Sequence, residues 1–112
     1  SAEQIYAGSS SLKTVLNAWG AVRLRHGNLG AGINIDPSLY SSFQFRVHGG
    51  TTGGQIKVLL GNDIGGTFTA YTTTIPASQW TLINIPMGQL NPSNNVIHSF
   101  YIQNDASSQR TF

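Results

Sequence analysis

The sequence predicts an all-β fold: an antiparallel β-sandwich, organised as a single domain over residues 1–112. Three observations carry this expectation. About eight short runs alternate apolar and polar residues with the period of two of a half-buried strand. Turn residues separate those runs at ~8–12-residue spacing, the rhythm of an antiparallel sandwich. No stretch has a helical period. A chain of 112 residues buries roughly 65% of its unfolded surface, enough for one core without covalent staples.

Taken in order, Gln4–Tyr6 reads as a short first strand or part of an ordered tail. Ser11–Asn17 places Leu12 and Leu16 on one face and Lys13 and Val15 on the other. In Trp19–Arg25, Val22 and Leu24 face one way, while Trp19, Ala21, Arg23 and Arg25 face the other. His26–Gly32 is rich in glycine and reads as a loop. Gly32–Ile35 reads as a short strand stopped at Asp36-Pro37, where the proline keeps Asp36 out of the helical region.

Phe43–Leu60 is the sharpest pattern. Phe43, Phe45 and Val47 alternate with Gln44, Arg46 and His48. Ile56, Val58 and Leu60 alternate with Gln55, Lys57 and Leu59. Only Gly and Thr connect the two runs, so the expectation is an antiparallel hairpin. Beyond the Gly61–Gly66 turn, strands are expected at Thr67–Thr74 and, after a Pro76–Gln79 turn, at Trp80–Pro86 with Ile83 and Ile85 inward. Met87–Asn95 reads as a loop. Val96–Asn104 is a strand with Phe100 and Ile102 inward and Tyr101 and Gln103 outward, and Gln109–Phe112 is a short closing strand.

Composition narrows the function. Charged residues make up 9% of the chain, against ~25% in ordinary soluble domains, so Ser, Thr, Asn, Gln and Gly must supply solubility. That suits an extracellular β-protein. A net charge of +2 is far from the dense basic stripe of a nucleic-acid binder. No run approaches the ~18 apolar residues of a membrane span, and Ser1–Ile5 is no signal peptide, so a secreted form is expected to have lost its leader. The absence of cysteine removes disulfides, thiolate chemistry and sulfur-ligated metals.

Catalysis is not expected. A glycoside hydrolase needs two carboxylates facing each other across the scissile bond. Glu3, Asp36, Asp63 and Asp105 are the whole acidic supply, and all fall in a tail or turns. There is no nucleophile-elbow motif. Gly49–Gly54 lacks the Gly-Lys-Ser/Thr ending of a phosphate loop. His26, His48 and His98 lack ligand spacing. Calcium is the one metal with a sequence rationale, at the Asn62-Asp63 and Asn104-Asp105 turns, but these supply few carboxylates and Asx residues are ordinary turn formers. No metal or other cofactor is expected.

Sugar binding needs a flat ring for the C–H face of a pyranose, and fixed amides, guanidinium groups or hydroxyls for its OH groups. Outward-facing Trp19, Arg23, Gln44, Arg46, Tyr101 and Gln103 supply both, provided that their strands are neighbours in one sheet. The bland alternative is that the aromatics cover a sheet rim and the arginines solvate it. Trp80 reads as core or rim before it reads as a sugar platform, and Tyr71 as a packing partner.

Four phrases then combine: Asp36–Phe45 (DPSLYSSFQF), the doubled-glycine segment ending in Gln55, Trp80–Pro86 (WTLINIP) and Phe100–Asn104 (FYIQN). Together, over roughly residues 9–112, they resemble secreted carbohydrate-binding β-sandwich modules, and most nearly the small haemagglutinins of plasmodial slime moulds. The resemblance implies a reduced, legume-lectin-like jelly roll with up-and-down sheets. It also implies a secreted lectin that binds cell-surface glycans or glycopeptides on one sheet face, and agglutinates when dimerised or displayed on a surface. Such modules run on beyond a phrase like Arg110-Thr111-Phe112, so any site on further strands falls outside this chain. The alternatives are a module that targets cell-wall polysaccharide and a structural or adhesion domain that pairs an edge strand with a protein.

Overall fold

Alternating runs become strands where their apolar parity can be buried, and this chain finds that burial in one core to which several strands contribute. The computed structural model describes residues 13–25, 27–28, 31–32, 36–62 and 68–112. The early strands are β1 (Val15–Leu16), β2 (Ala21–Arg25), β3 (Gly27–Asn28) and β4 (Ala31–Gly32). The long ones follow: β5 (Ser42–His48), β6 (Gly54–Gly61), β7 (Tyr71–Ile75), β8 (Trp80–Pro86) and β9 (Ser99–Asn104), with β10 (Arg110–Thr111) last. A 3-10 turn at Pro37–Leu39 and a single helical turn, α1 (Met87–Leu90), are the helical elements among the described residues.

Among the described residues every strand pair is antiparallel. A four-stranded sheet has the order β2-β9-β6-β7, and a two-stranded sheet pairs β5 with β8. The pairs β1-β10 and β3-β4 are short. The fold is therefore all-β, as expected.

The inward parities hold. Ile56 and Val58 are fully buried and Leu60 nearly so, and Ile83 and Ile85 are buried on β8. The sheets meet through aromatic contacts: Phe43 lies edge-on to Phe100 at 4.8 Å, and Phe45 stacks on Phe100 at 6.5 Å. Met87 and Leu90, three apart on α1, close one end of this core. Each fully buried aliphatic side chain contributes about 1.5–3 kcal/mol relative to exposure.

The expected Phe43–Leu60 hairpin does not form. β5 pairs with β8, and β6 pairs with β7 and β9. The glycine-rich connection carries the chain from one sheet to the other, and the Pro76–Gln79 turn carries it back alongside. The two crossings are bonded, Gly49 N donating to Gln79 O at 3.2 Å and Ser78 N to Gly50 O at 2.7 Å. The glycines serve this close approach: a Cβ on Gly49 would lie 2.0 Å from Pro76 O, and Gly53, at φ +64°, would place one 2.4 Å from Ile75 O. The two apolar stripes of the pattern therefore face each other across the core instead of lying side by side.

Smaller differences have local causes. Gly27–Asn28 and Ala31–Gly32 pair as a short ladder where a loop was expected. Met87–Leu90 winds into a turn at the start of the expected Met87–Asn95 loop. Asp36 is extended, at φ -74° and ψ 111°, out of the helical region as the following proline requires. It caps the 3-10 turn by accepting hydrogen bonds from Ser38 Oγ at 2.7 Å and Ser38 N at 3.0 Å, which hold its carboxyl below the usual aspartate range. The expected Gln4–Tyr6 strand, Leu12, the 33–35 part of Gly32–Ile35, and Asp63 in the Gly61–Gly66 turn lie outside the described residues.

The crossing makes a direct prediction. Gly49→Ala forces backbone apart at Pro76 and should cost about 3 kcal/mol in urea unfolding. Gly88→Ala meets nothing within 4 Å on α1 and should be neutral or stabilising by roughly 0.5 kcal/mol. Equal urea midpoints for the two variants would contradict the crossing.

Candidate binding face

The outer face of the four-stranded sheet carries the side chains of opposite parity to the core. Register places Arg23 beside Tyr101 and Tyr101 beside Leu59, and in the next row Ala21, Gln103, Lys57 and Thr72. The expectation that Arg23, Tyr101 and Gln103 share one face is met on adjacent strands, β2 and β9.

Within that face Arg23 stacks over the Tyr101 ring, with Cζ 4.9 Å from the centroid, and its Nη2 donates to Ser99 Oγ at 3.1 Å. The ring itself lies across Gly61, where an added Cβ would sit 3.1 Å from Cε2. Tyr101 thus orients a guanidinium group, and the arginine covers part of the ring that the sequence offered as a sugar platform. Lys57 Nζ lies 3.6 Å from Asp105 Oδ1, a half-exposed ion pair worth little in stability but fixing an ammonium group on the face.

Trp19 sits at the margin of this face, in the turn before β2 and not on the strand itself. It holds φ +60°, a left-handed conformation that a bulky residue rarely adopts, while remaining 56% exposed. Its backbone is bonded on both sides: Trp19 N donates to Ala106 O at 3.2 Å, and Gln103 Nε2 donates to Trp19 O at 2.7 Å. Gly20 N closes the turn onto Asn17 O at 2.9 Å. The indole is held at the surface by a strained, hydrogen-bonded loop.

That loop is anchored from below by Asn104, which is fully buried at the end of β9. Its Nδ2 lies 3.2 Å from Leu16 O, 3.0 Å from Asn17 O and 2.8 Å from Ser108 O, sharing two hydrogens among three carbonyls. Its backbone N donates to Gly20 O at 2.8 Å. Asn104 was not among the expected site residues, although it shares the inward parity of Phe100 and Ile102. A polar residue at an inward position was the available signal.

Gln44 and Arg46 do not join this face. They lie on β5, whose partner is β8, with Gln44 opposite Asn84 and Arg46 opposite Leu82. Gln44 Nε2 donates to Asn84 Oδ1 at 3.2 Å. Because Phe43 and Phe45 of the same strand point at Phe100, Gln44 and Arg46 point away from the four-stranded sheet. The proviso that all six residues stand in one sheet fails, since β5 is no neighbour of β9. His48, expected on the polar face, is instead buried: its ring is edge-on to Trp80 at 5.4 Å, and Nδ1 accepts from Gly50 N at 3.0 Å. Trp80 lies half-buried at the rim, and Tyr71 packs on the core.

The turns weighed for calcium use their amides internally. Asn62 Nδ2 donates to Val96 O at 2.5 Å, and Asn104 is committed as described. Among the described residues no three His, Asp or Glu side chains gather as a metal site.

The buried amide is testable. Asn104→Asp sets a carboxylate against three carbonyls and should cost about 3–5 kcal/mol in urea unfolding, while increasing the mobility of the Trp19 indole in fluorescence anisotropy. A loss under about 1 kcal/mol with unchanged anisotropy would mean that the amide does not hold the loop.

Comparison with protein-family models gave no match for this chain, and comparison with curated proteins gave none either.

Proposed function

We propose that this chain is a small secreted lectin, an antiparallel β-sandwich of reduced, legume-lectin-like type that binds glycan non-covalently on the outer face of its four-stranded sheet. The observation that carries the reading is Trp19. A large aromatic kept exposed in a left-handed conformation by bonds to Ala106 and Gln103 is a costly arrangement, and costs of this kind gather at functional positions. An indole that remains 56% exposed suits the C–H face of a pyranose.

The roles divide by chemistry. Trp19 stacks on the sugar. Arg23, steadied over Tyr101, and the remaining donor and acceptor capacity of Gln103 hydrogen-bond its hydroxyls. Tyr101 positions Arg23, and no bond is made or broken. Such a contact is small and wet, so single-site affinity is on the order of µM to mM, and agglutination needs two sites per particle through dimerisation or display. The sparsely charged, amide- and hydroxyl-rich composition supports an extracellular setting.

A second reading is favoured by the row of polar and aromatic side chains that adjacent strands place on this face, Arg23 beside Tyr101 and Gln103 beside Lys57, since such a strip suits an extended polymer as well as a terminal sugar. In that reading the chain is a module that targets cell-wall polysaccharide.

Calorimetric titration with a glycopeptide mixture, and separately with soluble cell-wall polysaccharide, tests the proposal. Binding should weaken at least ~10-fold in Trp19→Ala, fall in Arg23→Ala and stay unchanged in Arg46→Ala. Binding of the polymer alone selects the second reading. Wild-type affinity in Trp19→Ala, or no heat with either ligand at millimolar concentration, would overturn the assignment of this face.

A further inference from the structure

Asp36 and Asp105 are the acidic side chains among the described residues, and Asp36 is committed to capping the 3-10 turn. Asp105 follows Gln103 by two residues, just past the end of β9, on the side of the outer face where Trp19 stands. The main chain is fixed there by two bonds. Asp105 N donates to Gln55 O at 2.9 Å, and Ala106 O accepts from Trp19 N at 3.2 Å. The Asp105 carboxylate lies 3.6 Å from Lys57 Nζ, and Lys57 stands opposite Gln103, whose Nε2 donates to Trp19 O at 2.7 Å. Indole, amide and ion pair therefore border one patch.

Arg23 belongs to a different row. It stands opposite Tyr101, two residues from Gln103 along β9, so about 7 Å separates its row from that of Gln103 and Lys57. Asp105 lies on the other side of that middle row, toward Trp19. A sugar resting against the Trp19 turn thus meets Gln103, Lys57 and Asp105 before it meets Arg23.

One ammonium and one carboxylate leave that end of the face without net charge. Uncharged hydroxyls can use both groups, because the ammonium donates and the carboxylate accepts. An acidic sugar can use neither well. Its anion gives up hydration to meet a lysine that is already neutralised, and Asp105 repels it from within a Debye length of ~8–10 Å. Side-chain exposures of 38% for Lys57 and 15% for Asp105 keep this repulsion less screened than between fully exposed charges. We infer that Asp105 is a specificity-determining residue of this face: by neutralising Lys57 beside Trp19 and Gln103, it selects uncharged glycans and rejects sugars that carry an acidic group. The chain's net charge of +2 would otherwise favour acidic glycans. The inference rests on the lectin reading of the Trp19 face.

The test is calorimetric titration of the whole chain with one glycopeptide pool, before and after enzymatic removal of its sialic acid. The desialylated pool should bind the wild type about fivefold or more tighter than the sialylated pool. Asp105→Asn keeps the main-chain bond to Gln55 O and loses one half-exposed ion pair, so it should fold normally. It should bring the two pools within about twofold, with the gained sialylated binding weakening as salt rises. Adding Lys57→Gln to Asp105→Asn removes the released ammonium and should abolish that gain. Lys57→Gln alone leaves Asp105 unopposed and should widen the wild-type preference, a readout that holds even if Asp105→Asn fails to fold. Equal or tighter wild-type binding of the sialylated pool, or a preference unchanged in Asp105→Asn and in Lys57→Gln, overturns the inference; the lectin reading then stands if Trp19→Ala still loses binding. Binding of neither pool at millimolar concentration overturns both.

Discussion

The buried amide of Asn104 is the interaction on which the exposed face depends. β9 lies between β2 and β6, so its end is where the four-stranded sheet meets the loops. There a single side chain draws together Leu16 and Asn17 from one segment and Ser108 from another. Gln109 Nε2 reinforces the junction by donating to Asn17 Oδ1 at 2.9 Å. The amide's own Oδ1 is buried with no hydrogen-bond partner, an expense of about 1–3 kcal/mol that apolar packing must offset. The return is positional: β1, β10 and the Trp19 turn are fixed relative to the sheet by one group, and Trp19 can then hold an unfavourable backbone geometry.

The second constraint is the pair of side-by-side crossings between sheets. Once Gly49 and Gly53 let the chain pass against Pro76 and Ile75, the stripes of β5 and β6 must face each other, and the core follows from that opposition. Among the described residues β5 and β8 then pack, through Phe43 and Phe45, on Phe100 of the four-stranded sheet. Phe100 then has two roles, packing under Phe43 and Phe45 on one side and lining an inner cleft on the other. The outer face and the inner clefts are thus consequences of one topology.

Much of the local structure was legible in the sequence because parity is a local property. Trp80–Pro86 is a strand over the expected span with Ile83 and Ile85 buried, and Tyr101 and Gln103 point away from Phe100 and Ile102 as alternation requires. Strand pairing was not legible. A period of two says which residues are buried but not which strand they are buried against, so β5 was matched to β6 when its partner is β8. That error carried Gln44 and Arg46 onto a face they do not share. Trp19 was read as the first residue of a strand, and only its positive φ, a property invisible to hydropathy patterning, places it in a turn. Met87 and Leu90 show the converse: their i, i+3 spacing is a helical signal too short to register against a Pro- and Asn-rich loop.

The central claim is that an indole, held out by main-chain bonds, is the surface on which a sugar rests. Intermolecular nuclear Overhauser effects between bound glycan and protein test it most directly, because they report which ring the sugar touches. The account predicts effects from pyranose C–H protons to the Trp19 indole, with weaker ones to the Arg23 side chain. Effects to Trp80 or to the Tyr101 ring, with none to Trp19, would contradict it.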